Sequence, residues 1–285
     1  MNDYTWHLSG KELIDDIRKT AVSAGSVCIW PMGQCGFIIK THWVTIGIDL
    51  VLSQLYAKDG SPRRQYPPPF GPEDGLLLEY LLVSHNHSDH LDIPTVTGLL
   101  NTNSGLKVLI PAAVKNEITL HDDRIIWTKQ DKPVHIPGGS VTGIAAPHDT
   151  YRYDAGGNSL ALGYVIRQQE IILYHSGDAL ADKKMADTVQ NYHPEIVFLP
   201  INGRDEIRTK AGIIGNMTME EAVTFAKRLA PKIFIPMHYD MFANNGYDVE
   251  ACCLYAAKLL PDTQTIVPYL GKRLEIQSDA VKSVQ

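Results

Sequence analysis

Leu82-Val83-Ser84 runs directly into His85-Asn86-His87-Ser88-Asp89-His90-Leu91-Asp92, so an apolar strand ends in three histidines and two carboxylates within eight residues. Side chains of an extended loop alternate with period two, which points His85 and His87 the same way, while Asp89 and His90 can turn onto a second centre one metal–metal spacing away. A lone His-x-His would describe a polar loop. The full His-x-His-x-Asp-His at the end of a buried strand describes a binuclear hydrolytic metal site.

The rest of the chain supplies short apolar runs and helical periodicity. Ser9 and Glu12 have capping-box spacing and Leu13, Ile14 and Ile17 recur on one helical face, predicting an amphipathic helix to about Ala24. Apolar runs at 26–31, 36–40 and 43–49 read as an antiparallel meander. Asp49 ends the third of these, either supporting a metal ligand or capping a loop. Pro94 suits the first turn of a helix running to Leu100. Further strands are predicted at 107–110, 124–127, 141–146, 160–166, 170–174, 195–200, 232–236, 265–268 and 273–276, and helices at 218–229 and 248–260. Several strands end in polar strings: Pro147-His148-Asp149, His175-Ser176-Gly177-Asp178, Asn202-Gly203-Arg204-Asp205 and Met237-His238-Tyr239-Asp240. No linker, low-complexity segment or repeat divides residues 1–285, so the chain reads as one domain. Strands with interspersed helices in both halves fit an α/β architecture, a four-layer αββα sandwich with its polar strand ends along one edge.

Charge and composition narrow the partners. A formal net charge of -6 gives no basic field for a phosphate backbone, so nucleic acid is disfavoured as a substrate. Residues 1–18 hold no apolar core between basic flanks, and no run of about twenty apolar residues occurs, so no membrane association is expected and a cytoplasmic location is. Cys28, Cys35, Cys252 and Cys253 show neither C-x-x-C spacing nor disulfide density and are expected to be free thiols. Residues 59–75, rich in proline and containing Arg63, Arg64 and Tyr66, form a long loop. It reads as a solvated surface segment, with a wall of the site offering Arg63 or Arg64 to an anion as the alternative.

The order and type of His85, His87, Asp89, His90, His148, Asp178 and His238 resemble the metallo-β-lactamase superfamily. That resemblance implies that His85, His87 and His148 hold one metal, that Asp89, His90 and His238 hold a second, and that Asp178 bridges both. Ile29-Trp30-Pro31-Met32-Gly33 with Gly36-Phe37, Leu173 to Asp178, Met217-Thr218 and Ile235 to Asn244 are similar to the L-ascorbate-6-phosphate lactonase family of that superfamily, over most of residues 26–250. The resemblance implies a lactonase acting on a sugar or sugar-phosphate lactone, and a homo-oligomer.

A divalent ion held by neutral imidazoles and carboxylates brings the pKa of its water to about 7 and so supplies hydroxide for a lactone carbonyl. His and carboxylate donors suit Mn2+ and Zn2+ alike. Asp89 and Asp178 carry the chemistry on this reading, with His175 as a catalytic neighbour or a buried structural residue. A small anionic substrate needs a cation, and Arg204 is the first choice, ahead of Arg152 and Arg208; Asn202, Tyr239 and Asp240 are the other candidate contacts. His7, His42, His121, His135 and His193 have no such constellation around them. The alternative is a small-molecule phosphodiesterase or nuclease using the same two metals. A flavodiiron-type redox protein would need a carboxylate in place of His87 and a flavin-binding domain.

Overall fold

Val27 and Ile29 face one apolar cluster while their neighbours Cys28 and Trp30 face another, and the same alternation separates Ile196 and Phe198 from Val197 and Leu199. Strands buried on both faces read in sequence as unbroken apolar runs, and two stacked sheets covered by helices are the architecture that buries both faces. The computed structural model describes residues 4–169 and 171–277. Glu170, the predicted first residue of a strand, and both ends of the 1–285 span lie outside the described residues.

The first sheet contains β1 (Ser26–Gly33), β2 (Gly36–Lys40), β3 (Thr45–Ile48), β4 (Tyr80–Leu82), β5 (Lys107–Pro111) and β6 (Ile125–Thr128), neighbours in that order. The second contains β7 (Pro133–Ile136), β8 (Gly139–Ala145), β9 (Leu162–Gln168), β10 (Ile171–His175), β11 (Ile196–Pro200), β12 (Ile233–Met237) and β13 (Gln264–Thr265). β14 (Leu274–Gln277) returns to the first sheet, antiparallel to β1. Helices α1 (Gly10–Lys19) and α2 (Ile93–Thr102) pack Leu13, Ile17, Val96 and Leu99 onto the outer face of the first sheet. On the outer face of the second, α3 (Lys183–Gln190), α5 (Met219–Leu229) and α6 (Val249–Leu259) bury Val189, Val223 and Cys252, whereas the short α4 (Glu206–Lys210) buries nothing. Phe37, Ile46, Leu82, Tyr164, Phe198 and Ile235 fill the space between the sheets, so the fold is the predicted αββα sandwich.

Strand direction positions the site. β3 to β6 run parallel to one another, as do β10 to β13, and β8, antiparallel to β9, runs the same way as β10. The carboxyl ends of β8, β10 and β12 therefore share an edge, where open α/β sheets place their ligands. The tip of β4 is tied to that edge, because Leu162 N–H donates to the Ser84 carbonyl at 2.9 Å and Tyr164 Oη to that of Val83 at 2.8 Å.

Several boundaries differ from the sequence expectation. α1 stops at Lys19 instead of near Ala24: Thr20 Oγ1 bonds the Asp16 carbonyl, and Arg273 binds both Asp16 and Thr20, which turns the chain toward β1. The Ser9 side chain makes no capping bond. The third strand is shorter than 43–49, and β13 has two residues in place of the predicted 265–268. The edge strand β7 was not foreseen, since Pro133 and His135 face outward and leave little apolar pattern.

Candidate metal centre

The loop after β4 is shaped by Asp49. This carboxylate, fully buried at the end of β3 with a left-handed φ of 45°, accepts from Ser84 N–H and Ser84 Oγ, each at 2.7 Å, and lies 2.8 Å from His90 Nδ1. Fixing Nδ1 leaves His90 Nε2 as the free face of the ring. The His90 and Leu91 N–H groups both return to the His87 carbonyl, closing a turn that brings the His90 ring to 4.1 Å from that of His85, between centroids.

Two groups of potential donors form at this edge. In the first, His85 Nε2 lies 2.9 Å from His87 Nδ1, and His148 Nε2 lies 3.2 Å from His87 Nδ1 and 3.5 Å from Asp178 Oδ2. In the second, His90 Nε2 is 3.2 Å from Asp178 Oδ1, His238 Nε2 is 3.2 Å from Asp178 Oδ2, and Asp89 Oδ2 is 3.8 and 3.6 Å from those two nitrogens. Asp178 belongs to both groups, and on the second side the sulfur of Cys35 also lies within 4.8 Å of the His90, Asp178 and His238 donor atoms. Nitrogen and oxygen atoms bound at 2.0–2.2 Å to one tetrahedral ion stand about 3.4 Å apart, so the separations suit ligands on a shared ion. One orphaned atom makes the same point. His90 Nε2 is buried and, although close to Asp178, makes no hydrogen bond, a deficit that a metal would remove.

The electrostatics agree. Burial pushes His85, His87 and His148 below the ordinary imidazole range, which favours the neutral form a metal needs. Burial alone would raise Asp178, but His238 and His90 outweigh it and hold the carboxyl low. Conversely His238, which burial would lower, is pushed up to about 9 by Asp178. Carboxylates thus collect positive charge at this point.

Three residues support the centre without lining it. Gly177 has a φ of +60°, and a Cβ there would meet Ser84 Cβ at 2.7 Å, so the residue before Asp178 must be glycine. His175, expected among the catalytic residues, is fully buried: Nε2 bonds the Cys35 carbonyl at 2.9 Å and Nδ1 accepts from Gly177 N–H at 3.1 Å. It fixes the turn on each side of the centre. Gln34 was missed by the sequence reading. Its Nε2 donates to Asp89 Oδ2 at 2.8 Å and lies 3.0 Å from His238 Nε2, and its carbonyl accepts from His238 N–H. Gln34 and Cys35 form the β1–β2 turn between Gly33 and Gly36, and only that pair of glycines marks it in the sequence.

A cavity of about 270 Å3 opens over both groups, lined among others by Arg63, Asp89, Asp178, His238, Phe242 and Asn245. The predicted substrate residues fare differently. Arg204 does not line it: its guanidinium grips Glu221 at 2.6 and 2.7 Å and also bonds the Asn216 carbonyl. Arg152 pairs with Asp149 at the surface, and Arg208 with Asp205 and the Asn202 carbonyl. Asn202 is buried behind Asn245, to which it donates at 3.0 Å. Tyr239 packs into the helix-side core and Asp240 accepts from Gln34 N–H, so both point away from the cleft.

The 59–75 segment is only partly a solvated loop: most of its residues are exposed, but several anchor it to the body of the protein. Tyr66 and Phe70 are buried, Arg64 donates to the Val51 and Ser53 carbonyls, and Gln65 bonds Met241 and Asp240 through their carbonyls. That packing presents Arg63 to the cleft, its main-chain N–H bonded to the Leu55 carbonyl and its guanidinium 4.8 Å above the Phe242 ring with no hydrogen-bond partner among the described residues. No helix among those residues is long and apolar enough to cross a membrane.

Comparison with known proteins agrees with this geometry. The family model described as a beta-lactamase superfamily domain matches residues 45–239. A UPF0173 metal-dependent hydrolase of Methanocaldococcus jannaschii is 27% identical over 211 residues, covering 72% of this chain and 87% of its own. One from Methanopyrus kandleri is 25% identical over 252 residues, covering 86% and 97%. Among solved structures, the metallo hydrolase Igni18 of Ignicoccus hospitalis superimposes with a TM-score of 0.67 at 19% identity, covering 88% of this chain and 99% of its own. An isothiocyanate hydrolase from Delia radicum gut bacteria does so with a TM-score of 0.67 at 16% identity, covering 88% and 99%. At those identities the two structures speak for the fold alone.

Proposed function

The chain belongs to the beta-lactamase superfamily domain family and is a metal-dependent hydrolase, and from that premise we propose that it opens a small anionic lactone, a sugar or sugar-phosphate lactone first among them. One observation carries the reading: the cavity over the two donor groups is of small-molecule size, and its guanidinium, Arg63, is unpaired among the described residues. On this reading His85, His87 and His148 would hold one divalent ion and Asp89, His90 and His238 a second, with Asp178 available to either. Such ions, Mn2+ or Zn2+, bring the pKa of bound water toward neutrality and polarise a carbonyl.

The chain's own groups do the rest. Arg63 takes the substrate's anionic substituent, its guanidinium placed over the Phe242 ring. Asn245 is held by Asn202 and Arg208 and offers a fixed amide to the polar side of the substrate. Gln34 tethers Asp89, leaving that carboxylate oriented to accept and return a proton at the cleft.

A panel of lactones, phosphodiesters and β-lactams offered to the Zn2+- and Mn2+-loaded protein tests the reaction class. Turnover of anionic lactones is expected. Hydrolysis of phosphodiesters with no lactone turned over would place the protein with the small-molecule phosphodiesterases instead. Arg63→Ala is expected to raise KM for an anionic substrate about tenfold, the equivalent of 1.4 kcal/mol, and to leave kcat and neutral substrates little changed. An unchanged KM would remove Arg63 from the site.

A further inference from the structure

We infer that Cys35 is a thiolate ligand of the second ion, beside His90, Asp178 and His238, and that it biases this position toward zinc over manganese. The inference rests on the two-ion reading above.

Cys35 sits in the β1–β2 turn with no solvent exposure, and its Sγ lies 3.7 Å from Asp178 Oδ1. Its sulfur, one nitrogen each of His90 and His238 and an oxygen of Asp178 all lie within 4.8 Å of one another. Sulfur at about 2.3 Å and oxygen at about 2.1 Å from one tetrahedral ion stand roughly 3.6 Å apart, which matches the separation found. A second observation points into the same space: the buried, unpartnered Nε2 of His90.

The turn is held in place. The Cys35 carbonyl accepts from His175, and the preceding residue is bound to Asp240 through its N–H and to His238 through its carbonyl. Asp89, meanwhile, is drawn toward Gln34 and stands farther from His90 and His238 than Asp178 does, so the sulfur completes the donor set on the buried side. An inert core thiol would have apolar neighbours on every side. This one packs within the apolar cluster between the sheets yet has a carboxylate oxygen and two imidazole nitrogens within 4.8 Å of its sulfur.

On ion entry the S–H bond breaks, its proton leaves to solvent, and the freed sulfur lone pair forms the bond to the metal. Thiolate is a soft donor, favouring zinc over manganese where His and carboxylate alone do not discriminate.

Cobalt(II) reports on this directly. The full-length protein is titrated with two equivalents of Co2+ and its absorption compared with that of Cys35→Ser and Cys28→Ser. Expected are a thiolate-to-cobalt charge-transfer band in the near ultraviolet for the parent and Cys28→Ser, and its loss in Cys35→Ser with the visible bands of imidazole-bound cobalt retained. The preference for Zn2+ over Mn2+ should fall at least tenfold in the same variant. Visible bands without the near-ultraviolet band in the parent, a reading independent of how the variant folds, would overturn the role of Cys35 and leave the two-ion reading standing. Persistence of the band in Cys35→Ser would overturn it too. Failure of the parent to bind cobalt at all would remove both.

Discussion

Asp49 shows how much a single buried side chain can govern. Its two oxygens fix the main chain and hydroxyl of Ser84 and the Nδ1 of His90, so one carboxylate sets both the entry to the ligand loop and the orientation of a candidate ligand. Asp49→Asn keeps the shape but replaces one of the two acceptor oxygens with an NH2 donor and removes the charge that faces the imidazole. By analogy with other partners that orient metal ligands, it should weaken metal binding at His90 roughly 10- to 100-fold, as read by competition with a chromophoric chelator. Unchanged affinity would reduce Asp49 to a strand cap. At this scale the sequence is most legible where ligands are neighbours: His85, His87, Asp89 and His90 declare themselves by spacing. Gln34 and Cys35 do not, because a turn's register brings them in from more than fifty positions away. Arg204 misled for the complementary reason. A cation beside a strand end looks available until Glu221 on α5 is found gripping it from both nitrogens.

Elements were legible where they are buried on both faces and obscure where they are not. The apolar runs of β10, β11 and β12 could be placed from sequence, but the half-exposed β7 and the end of α1 depend on partners distant in the chain, such as Arg273 on Asp16. The end of β10 makes the point testable. Gly177→Ala puts an L-residue in the left-handed region, a strain of about 1–2 kcal/mol, and presses its Cβ against Ser84, so chemical denaturation should show a loss of about 1–3 kcal/mol. Gly60→Ala is the matched control, since its φ is +81° but a Cβ there meets nothing within 4 Å. Metal content should fall in Gly177→Ala, whose neighbour is Asp178, and remain normal in Gly60→Ala. Equal metal content in the two would mean that the β10 end tolerates displacement without moving the donors.

Across the whole molecule, the candidate ligands come from both sheets: His85, His87, Asp89 and His90 follow β4, whereas His148, Asp178 and His238 follow β8, β10 and β12. Along the rest of the sandwich the sheets adhere through apolar packing, for example Phe37 against Phe198 at 4.7 Å between ring centroids. At the polar edge apolar packing gives way to imidazoles and carboxylates, and ions held by both sets of residues would join the sheets there. Ligands that bind only the folded chain stabilise it by mass action, about 4 kcal/mol when free ion stands at a thousand times Kd. For a chain of this size each kcal/mol moves Tm by roughly 2–4 °C, so stripping the ions with a chelator should lower Tm by about 10 °C, and Zn2+ should restore it. Calorimetry of the parent and of His85→Ala checks the assignment, because the variant lacks a ligand from the first sheet and should show a smaller difference between stripped and loaded forms. Identical melting of stripped and loaded parent protein would mean that the edge is held by direct hydrogen bonds such as Leu162–Ser84, Tyr164–Val83, His175–Cys35 and His238–Gln34, with no ion bridging the sheets.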